Sequence, residues 1–247
     1  MTPEGIELAA VQVWREDGLG GEPAEVVHGV SIAIEAGRRV ALVGANGAGK
    51  TSLLLALVGA ARFAGTIRIG DLVLDRRSLT AVRAKLGFVF AEPADQLFSA
   101  TVLDEAAFAP RQRALTDAAL RARRELSRVG LTGLEERAPQ SLSLGEQRRL
   151  AIAAVLSADP AVLLLDEPTA SLDSRSRRAV LEAIGACPAT TVFATHDLEA
   201  ALELEADVLV LGGGRLLGHG AAGETLANAR LLDAAGLDVP ARLAAKV

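Results

Sequence analysis

Asp166 and Glu167 stand side by side at the end of the apolar run AVLLLDEP, the first sign of chemistry in this chain. A run that apolar reads as a central strand, and in open α/β sheets ligands bind outside the carboxyl ends of such strands. There Asp166 is suited to hold Mg²⁺ through water, and Glu167 to polarise a water for in-line attack on a terminal phosphate. Such a pair needs a phosphate cradle. The residues GANGAGKTS, 44–52, supply its spacing: glycine, four residues, glycine, lysine, hydroxyl, placed after the apolar strand RRVALVG.

Gly44, Gly47 and Gly49 let the backbone, with Ala45, Asn46 and Ala48, turn its N–H groups inward around an anion. The helix expected to start at Lys50, Thr51 and Ser52 points its positive dipole end at the same place. Lys50 is suited to the terminal phosphates as a compact point charge, in a chain whose other lysines are only Lys85 and Lys246. Thr51 is suited to place its hydroxyl on Mg²⁺. The bland alternative is a glycine-rich turn without a ligand, which the flanking strand and helix disfavour. One strand further on, His196 follows TTVFAT, where an imidazole can reach both the γ-phosphate and the attacking water. His28 and His219 lack such neighbours and read as structural.

The elements that must position these groups follow from the hydropathy pattern. IELAAVQV from Ile6, VSIAIEAG from Val30 and RRVALVG from Arg38 read as strands, an antiparallel edge running into a buried strand. TSLLLALVGAA after Lys50 reads as a buried helix, GTIRIGDLVL as a hairpin and LGFVF as a second buried strand. From Thr101 to Leu156 the pattern is helical, with Leu115, Ala119, Ala122, Leu126 and Val129 as the predicted apolar face and arginines on the solvated one. AVLLLDEP, TTVFAT and DVLVLGG then alternate with helices from about Ser176 and Asp197. Strands alternating with helices predict a parallel sheet covered on both faces.

The totals exclude several classes. The chain has 247 residues, 50% apolar and 23% charged, with a net charge of −5, so it can bury a core and carries no basic nucleic-acid footprint. Cys187, the only cysteine, excludes an internal disulfide and a cysteine metal cluster. No start resembles a signal peptide and no apolar run reaches membrane-spanning length. The expectation is a soluble protein that can dock on a membrane protein.

The phosphate loop, SLSLGEQ from Ser141, LLLDEPTASLD ending at Asp173 and THD at His196, in this order, resemble the ATP-binding-cassette (ABC) ATPases, the motor subunits of ABC transporters. The resemblance covers nearly the whole chain. It implies an α/β P-loop NTPase fold: a mainly parallel RecA-like core sheet, an N-terminal antiparallel β subdomain and a helical subdomain inserted at about 91–157. The nucleotide-binding domain would span 1–212, and 213–247 would be a C-terminal extension of it. ATP and Mg²⁺ are the implied ligands, sandwiched between two copies, with hydrolysis between them. Leu142–Glu146 match the family signature, whose serine and helix N-terminus grip the γ-phosphate held by the other subunit; Ser143 and Gly145 match it, while Leu144 and Glu146 replace glycine and glutamine. Asp173 matches the loop that crosses the dimer interface. The family often stacks adenine on a tyrosine, which this chain lacks; Trp14 is the candidate here, either stacking or purely structural, with the insertion-like DGLGGEP behind it.

After the strand GFVF, Ala91 replaces a glutamine that in these ATPases reaches Mg²⁺. PADQLFSATV resembles the energy-coupling-factor branch, especially the cobalt/nickel-type importer ATPases. Asp95, Gln96, Leu97 and Phe98 match the element that meets the transmembrane scaffold subunit, unless Leu97 and Phe98 pack within the helical junction. The tail from Gly214 to Pro240 resembles the same branch. The implied function is an ATPase on the cytoplasmic face of the membrane, pairing with an identical or related ATPase subunit and driving uptake of a metal ion or vitamin chosen by a separate membrane subunit. The alternatives are another ABC transporter class, a cassette that binds ATP with weak hydrolysis, and a soluble repair or translation cassette, against which the acidic charge argues.

Overall fold

The computed structural model describes residues 1–15 and 22–244. Most of the insertion expected after Trp14, and the last residues of the C-terminal extension with Lys246, lie outside them. The chain runs β1 (Ile6–Arg15), β2 (Ala24–Ile34), β3 (Arg39–Val43), α1 (Lys50–Leu57), β4 (Arg62–Ile69), β5 (Leu72–Val73), α2 (Leu79–Lys85) and β6 (Leu86–Val89). Helices α3 (Val102–Gln112), α4 (Ala118–Arg128) and α5 (Leu144–Leu156) follow. Then come β7 (Val162–Asp166), α6 (Ser174–Gly185), β8 (Thr190–Ala194), α7 (Leu198–Glu203), β9 (Asp207–Gly212), β10 (Arg215–Ala221), α8 (Ala222–Thr225), α9 (Ala229–Ala234) and α10 (Ala241–Ala244).

Two sheets form. The first is antiparallel, in the order β2-β1-β4-β5; the second has the order β10-β9-β3-β8-β7-β6, parallel throughout except for β10 at its edge. The parallel strands are almost wholly buried and carry near-continuous apolar centres because both faces are covered, with polar residues only at their ends. Their alternation divides the interior. Val40, Leu42, Val162, Leu164 and Val192 enter one core with α1 and the antiparallel sheet. Ala41, Val43, Leu163, Leu165 and Phe193 enter the other, with the helical layer. This is the P-loop ATPase architecture expected of the sequence, with α3–α5 as the inserted helical layer.

Some local expectations change. β2 begins at Ala24, ahead of the expected Val30, and α2 stands between the expected hairpin and the strand LGFVF. The apolar face of α4 is narrower than its spacing suggested: Ala122, Leu126 and Val129 are buried, but Ala119 is exposed and Leu115 lies in the turn before the helix. Glu125 takes the remaining inward position, paired with Arg124 at 2.7 Å and Arg128 at 3.2 Å, so two of the expected solvated arginines neutralise a buried acid.

Candidate functional site

β3, β8 and β7 are adjacent and parallel, so their carboxyl ends share one edge of the sheet. There Leu42 and Asp166 both pair with Ala194, which brings the phosphate loop, the two carboxylates and His196 together from three distant stretches of chain. A cavity of about 240 Å³ opens at this edge, lined by Asn46, Gly47, Gly49, Lys50, Thr51, Ser52 and Glu167 together with Arg15 and Val26.

The loop requires glycine for space as well as for conformation. Gly49 has φ +98, and a Cβ there would lie 2.7 Å from the Val26 carbonyl oxygen. At Gly44 a Cβ would fall 2.3 Å from the carbonyl oxygen of Leu211. These approaches press the loop between β2 and β9. Lys50 is buried and its Nζ donates to the carbonyls of Gly44 at 2.8 Å and Ala45 at 3.2 Å, so the ammonium is held over the loop. Ala48 is buried at the loop's base.

Thr51 Oγ1 donates to Asp166 Oδ2 at 2.8 Å, while Asp166 Oδ1 is buried with no partner. Burial pushes the Asp166 carboxyl above its ordinary pKa. An orphaned buried carboxylate oxygen beside a threonine hydroxyl is a hard-oxygen donor set, and it fits a magnesium ion.

Glu167 follows immediately in the left-handed region, φ +48, an unusual conformation for a non-glycine residue. Its N–H donates to the Ala194 carbonyl at 2.9 Å and its Oε2 lies 2.8 Å from His196 Nδ1. The carboxylate thus faces the cavity with an imidazole orienting it.

Trp14, the candidate for adenine, sits apart from the phosphate-loop cavity. It is absent from the cavity lining, and the Arg62 guanidinium lies 5.5 Å above its ring. Successive residues of a strand point to opposite faces, so it is Arg15 that reaches the cavity wall. Arg15 carried no sequence signal for this cavity, since nothing in its spacing marks it; a guanidinium is planar and can stack on π-faces.

Ser143, Gly145, Glu146 and Asp173 do not line the cavity of their own chain. Ser143 caps α5 in a capping box: its N–H and its Oγ each donate to Glu146 Oε2 at 2.8 Å. Those two bonds hold the Glu146 carboxyl below the usual range. Asp173 caps α6, accepting from the N–H groups of Arg175 and Ser176, both at 2.9 Å. Two further residues had no sequence signal. The Ala45 N–H donates to the Ala235 carbonyl at 3.2 Å, tying the C-terminal segment to the phosphate loop. Arg148, 4% exposed, binds three loop carbonyls beneath Glu167.

The segment 95–98 divides. Leu97 is 9% exposed in the helical core and is not an apolar anchor. Gln96 Oε1 accepts from the Phe90 N–H at 2.8 Å, bracing the loop from within. Asp95 is exposed, and Phe98, 63% exposed, packs edge-on against Phe108. Buried Glu105 fixes Phe98 outward by accepting from the N–H groups of Phe98 and Ser99 at 2.9 and 2.7 Å.

Comparison with known proteins agrees with this geometry. The sequence model of the family described as ABC transporter matches residues 27–170. The chain belongs to the ABC transporter family of ATPases. A protein of Streptomyces avermitilis named as an ABC transporter ATP-binding protein is 42% identical over 87% of this chain and 84% of its own length. The energy-coupling factor transporter ATP-binding protein EcfA of Carboxydothermus hydrogenoformans is 38% identical over 87% of this chain and 82% of its own. Among solved ABC ATPases, cbiO1 of Clostridium perfringens, part of the transporter complex cbiONQ, superposes with a TM-score of 0.75 at 28% identity, covering 92% of this chain and 94% of that one. An ATP-binding cassette solved as a dimer in a post-hydrolysis state with ADP and Pi gives 0.78 at 25% identity over 88% and 98%. This ABC ATPase therefore has the P-loop fold and the ATP-hydrolysing activity of its family, as a subunit of a transporter.

Proposed function

We propose that the chain is the ATP-binding and hydrolysing subunit of an energy-coupling-factor type importer. Two copies, or this chain and a related one, close on two Mg·ATP and drive a transmembrane scaffold subunit that takes up a micronutrient, a cobalt or nickel ion or a vitamin. The observation that carries the hydrolytic part is the Glu167–His196 contact at the mouth of the cavity floored by Lys50 and Thr51.

Lys50 exchanges its loop carbonyls for phosphate oxygens, and the loop N–H groups of residues 44–52 orient the rest of the chain of phosphates. Glu167 accepts the proton of the attacking water while His196 holds the carboxylate in line. Asp166 and Thr51 would hold Mg²⁺, which when bound neutralises developing phosphate charge. Ser143 and Asp173, away from their own chain's cavity, would serve a neighbour's nucleotide, a reading supported by their absence from the lining of their own, and Trp14 would keep a structural role.

The importer class is supported by the likeness to EcfA and cbiO1 and by the exposed Phe98–Phe108 pair, an aromatic anchor for a scaffold subunit with Asp95 on its rim. No helix among the described residues is long and apolar enough to cross a membrane, in keeping with a peripheral place on the cytoplasmic face. A second reading, ATP binding with weak hydrolysis, is favoured by the Ser143 hydroxyl being already engaged by Glu146. Co-purifying the chain with its membrane partners, identifying the bound cargo and comparing ATP turnover with that of Glu167→Gln tests both. Turnover no faster than the variant's selects the second reading, and the absence of any membrane partner removes the first.

A further inference from the structure

Beneath the catalytic edge, the Arg148 guanidinium joins three loops that are remote in sequence. Nη1 donates to the carbonyls of Glu167 at 2.8 Å and Ala170 at 2.7 Å; Nη2 donates to that of Ala91 at 2.7 Å. Ala91 begins the loop that ends at the outward-facing Phe98, whereas Glu167 and Ala170 belong to the loop running to Asp173. The side chain is 4% exposed, and among the described residues no carboxylate pairs with it. Its Nε is buried without a partner.

A buried, unpaired cation depends on the carbonyl dipoles around it, so displacing one of the three shifts the guanidinium against the other two. The residue on the receiving side is Glu167, whose strained φ of +48 is held by its N–H on the Ala194 carbonyl and by its own carbonyl, which accepts from Arg148 at 2.8 Å and, more weakly, from the Ala170 N–H at 3.3 Å. Losing the Arg148 bond leaves the carbonyl with only the longer Ala170 contact, so the backbone can relax and turn the carboxylate away from the attacking water.

We propose that Arg148 is the positioning residue through which the loop from Ala91 to Phe98 sets the placement of Glu167. This rests on the reading of Glu167 as the hydrolytic carboxylate. The loop that carries the exposed aromatic surface and the loop that carries the chemistry therefore move as one body while the guanidinium is in place.

The test uses the full chain with Arg148→Met and Arg148→Lys beside Glu167→Gln, each checked for folding by thermal melting. Expected is a kcat at least about ten-fold lower for Arg148→Met with KM for Mg·ATP within about two-fold of wild type, the signature of a lost geometry rather than lost binding. Arg148→Lys keeps the charge but cannot bridge three carbonyls, and should fold without recovering kcat; it serves if the methionine variant fails to fold. Backbone amide exchange supplies a readout independent of turnover: nucleotide-dependent changes in residues 91–98 should disappear in the Arg148 variants while those of the phosphate loop persist. Unchanged kcat and unchanged loop exchange in either folded variant, or full recovery by lysine, would overturn the proposal. Equal turnover in wild type and Glu167→Gln would instead overturn the reading of Glu167, leaving the exchange result to judge the coupling.

Discussion

His196 Nδ1 lies 2.8 Å from Glu167 Oε2, and the backbone N–H of His196 donates to the same oxygen at 3.3 Å. One carboxylate oxygen is thus fixed by the strand next door, leaving the other directed to the cavity. Replacing the base by its neutral isostere should slow turnover by about 10²–10⁴-fold. Phosphate release by Glu167→Gln measures this, with Mg·ATP binding retained; His196→Ala should lose less, because it orients rather than accepts. A glutamine variant that turns over at the wild-type rate would refute the assignment.

Asp166 is expected to cost the nucleotide-free protein stability. Burial raises its folded pKa above the ordinary 3.8, so the fold favours the neutral acid. Its contribution is full below the unfolded pKa and is lost as pH rises through the raised folded value. At neutral pH, Asp166→Asn should therefore melt higher than wild type, by on the order of 1–3 kcal/mol of stability, since an orphaned buried charge is removed while an acceptor for Thr51 remains. The advantage should shrink as pH falls. Magnesium-dependent hydrolysis should vanish in the same variant, and equal melting of the two proteins across pH would contradict this account.

Glu146 has two opposed roles. As the far half of the capping box it supports α5, and Glu146→Ala should cost about 1 kcal/mol in chemical denaturation. As a negative charge holding the Ser143 hydroxyl, it should oppose delivery of that hydroxyl to a second chain's phosphate in the proposed two-subunit arrangement. Glu146→Gln keeps the shape and removes the charge, so dimer formation with Mg·ATP in the Glu167→Gln background should strengthen. Light scattering or sedimentation reads the change; weaker association would mean that the acid helps closure.

Arg15, on the cavity wall, should matter for nucleotide affinity where Trp14 does not. Arg15→Ala is expected to raise the KM for ATP about five- to ten-fold, as loss of a stacking guanidinium would. Trp14→Phe should leave it unchanged, because that ring lies under Arg62 on the opposite face. The reverse order of effects would restore the tryptophan to the base.

Much of the site was legible because its chemistry is local. The phosphate loop is a nine-residue pattern whose glycines are demanded by nearby backbone, and Asp166 and Glu167 announce themselves by ending a strand too apolar to be anything but central. The parallel character of the central sheet followed from strand–helix alternation, whereas its strand order, β10-β9-β3-β8-β7-β6, did not. The α4 face was read too broadly, since helical spacing alone does not say which turn is covered, and Glu125 could take an inward position only because two arginines accompany it.

What the sequence by itself determined, then, is each group that short-range geometry defines on its own: the cradle, the adjacent carboxylates and the buried strands. Tertiary structure decided the rest. That Arg15 and not Trp14 lines the cavity depends on the phase of a pleat in β1, a strand whose pairing with β2 shifts register three times. Leu97 was drawn inward and Phe98 left outside by a turn that buried Glu105 holds from another element. Arg148 finds its three carbonyls on loops that no spacing rule connects. A backbone carbonyl carries no residue-specific signature, so partners of this kind become visible only once the chain has folded around them.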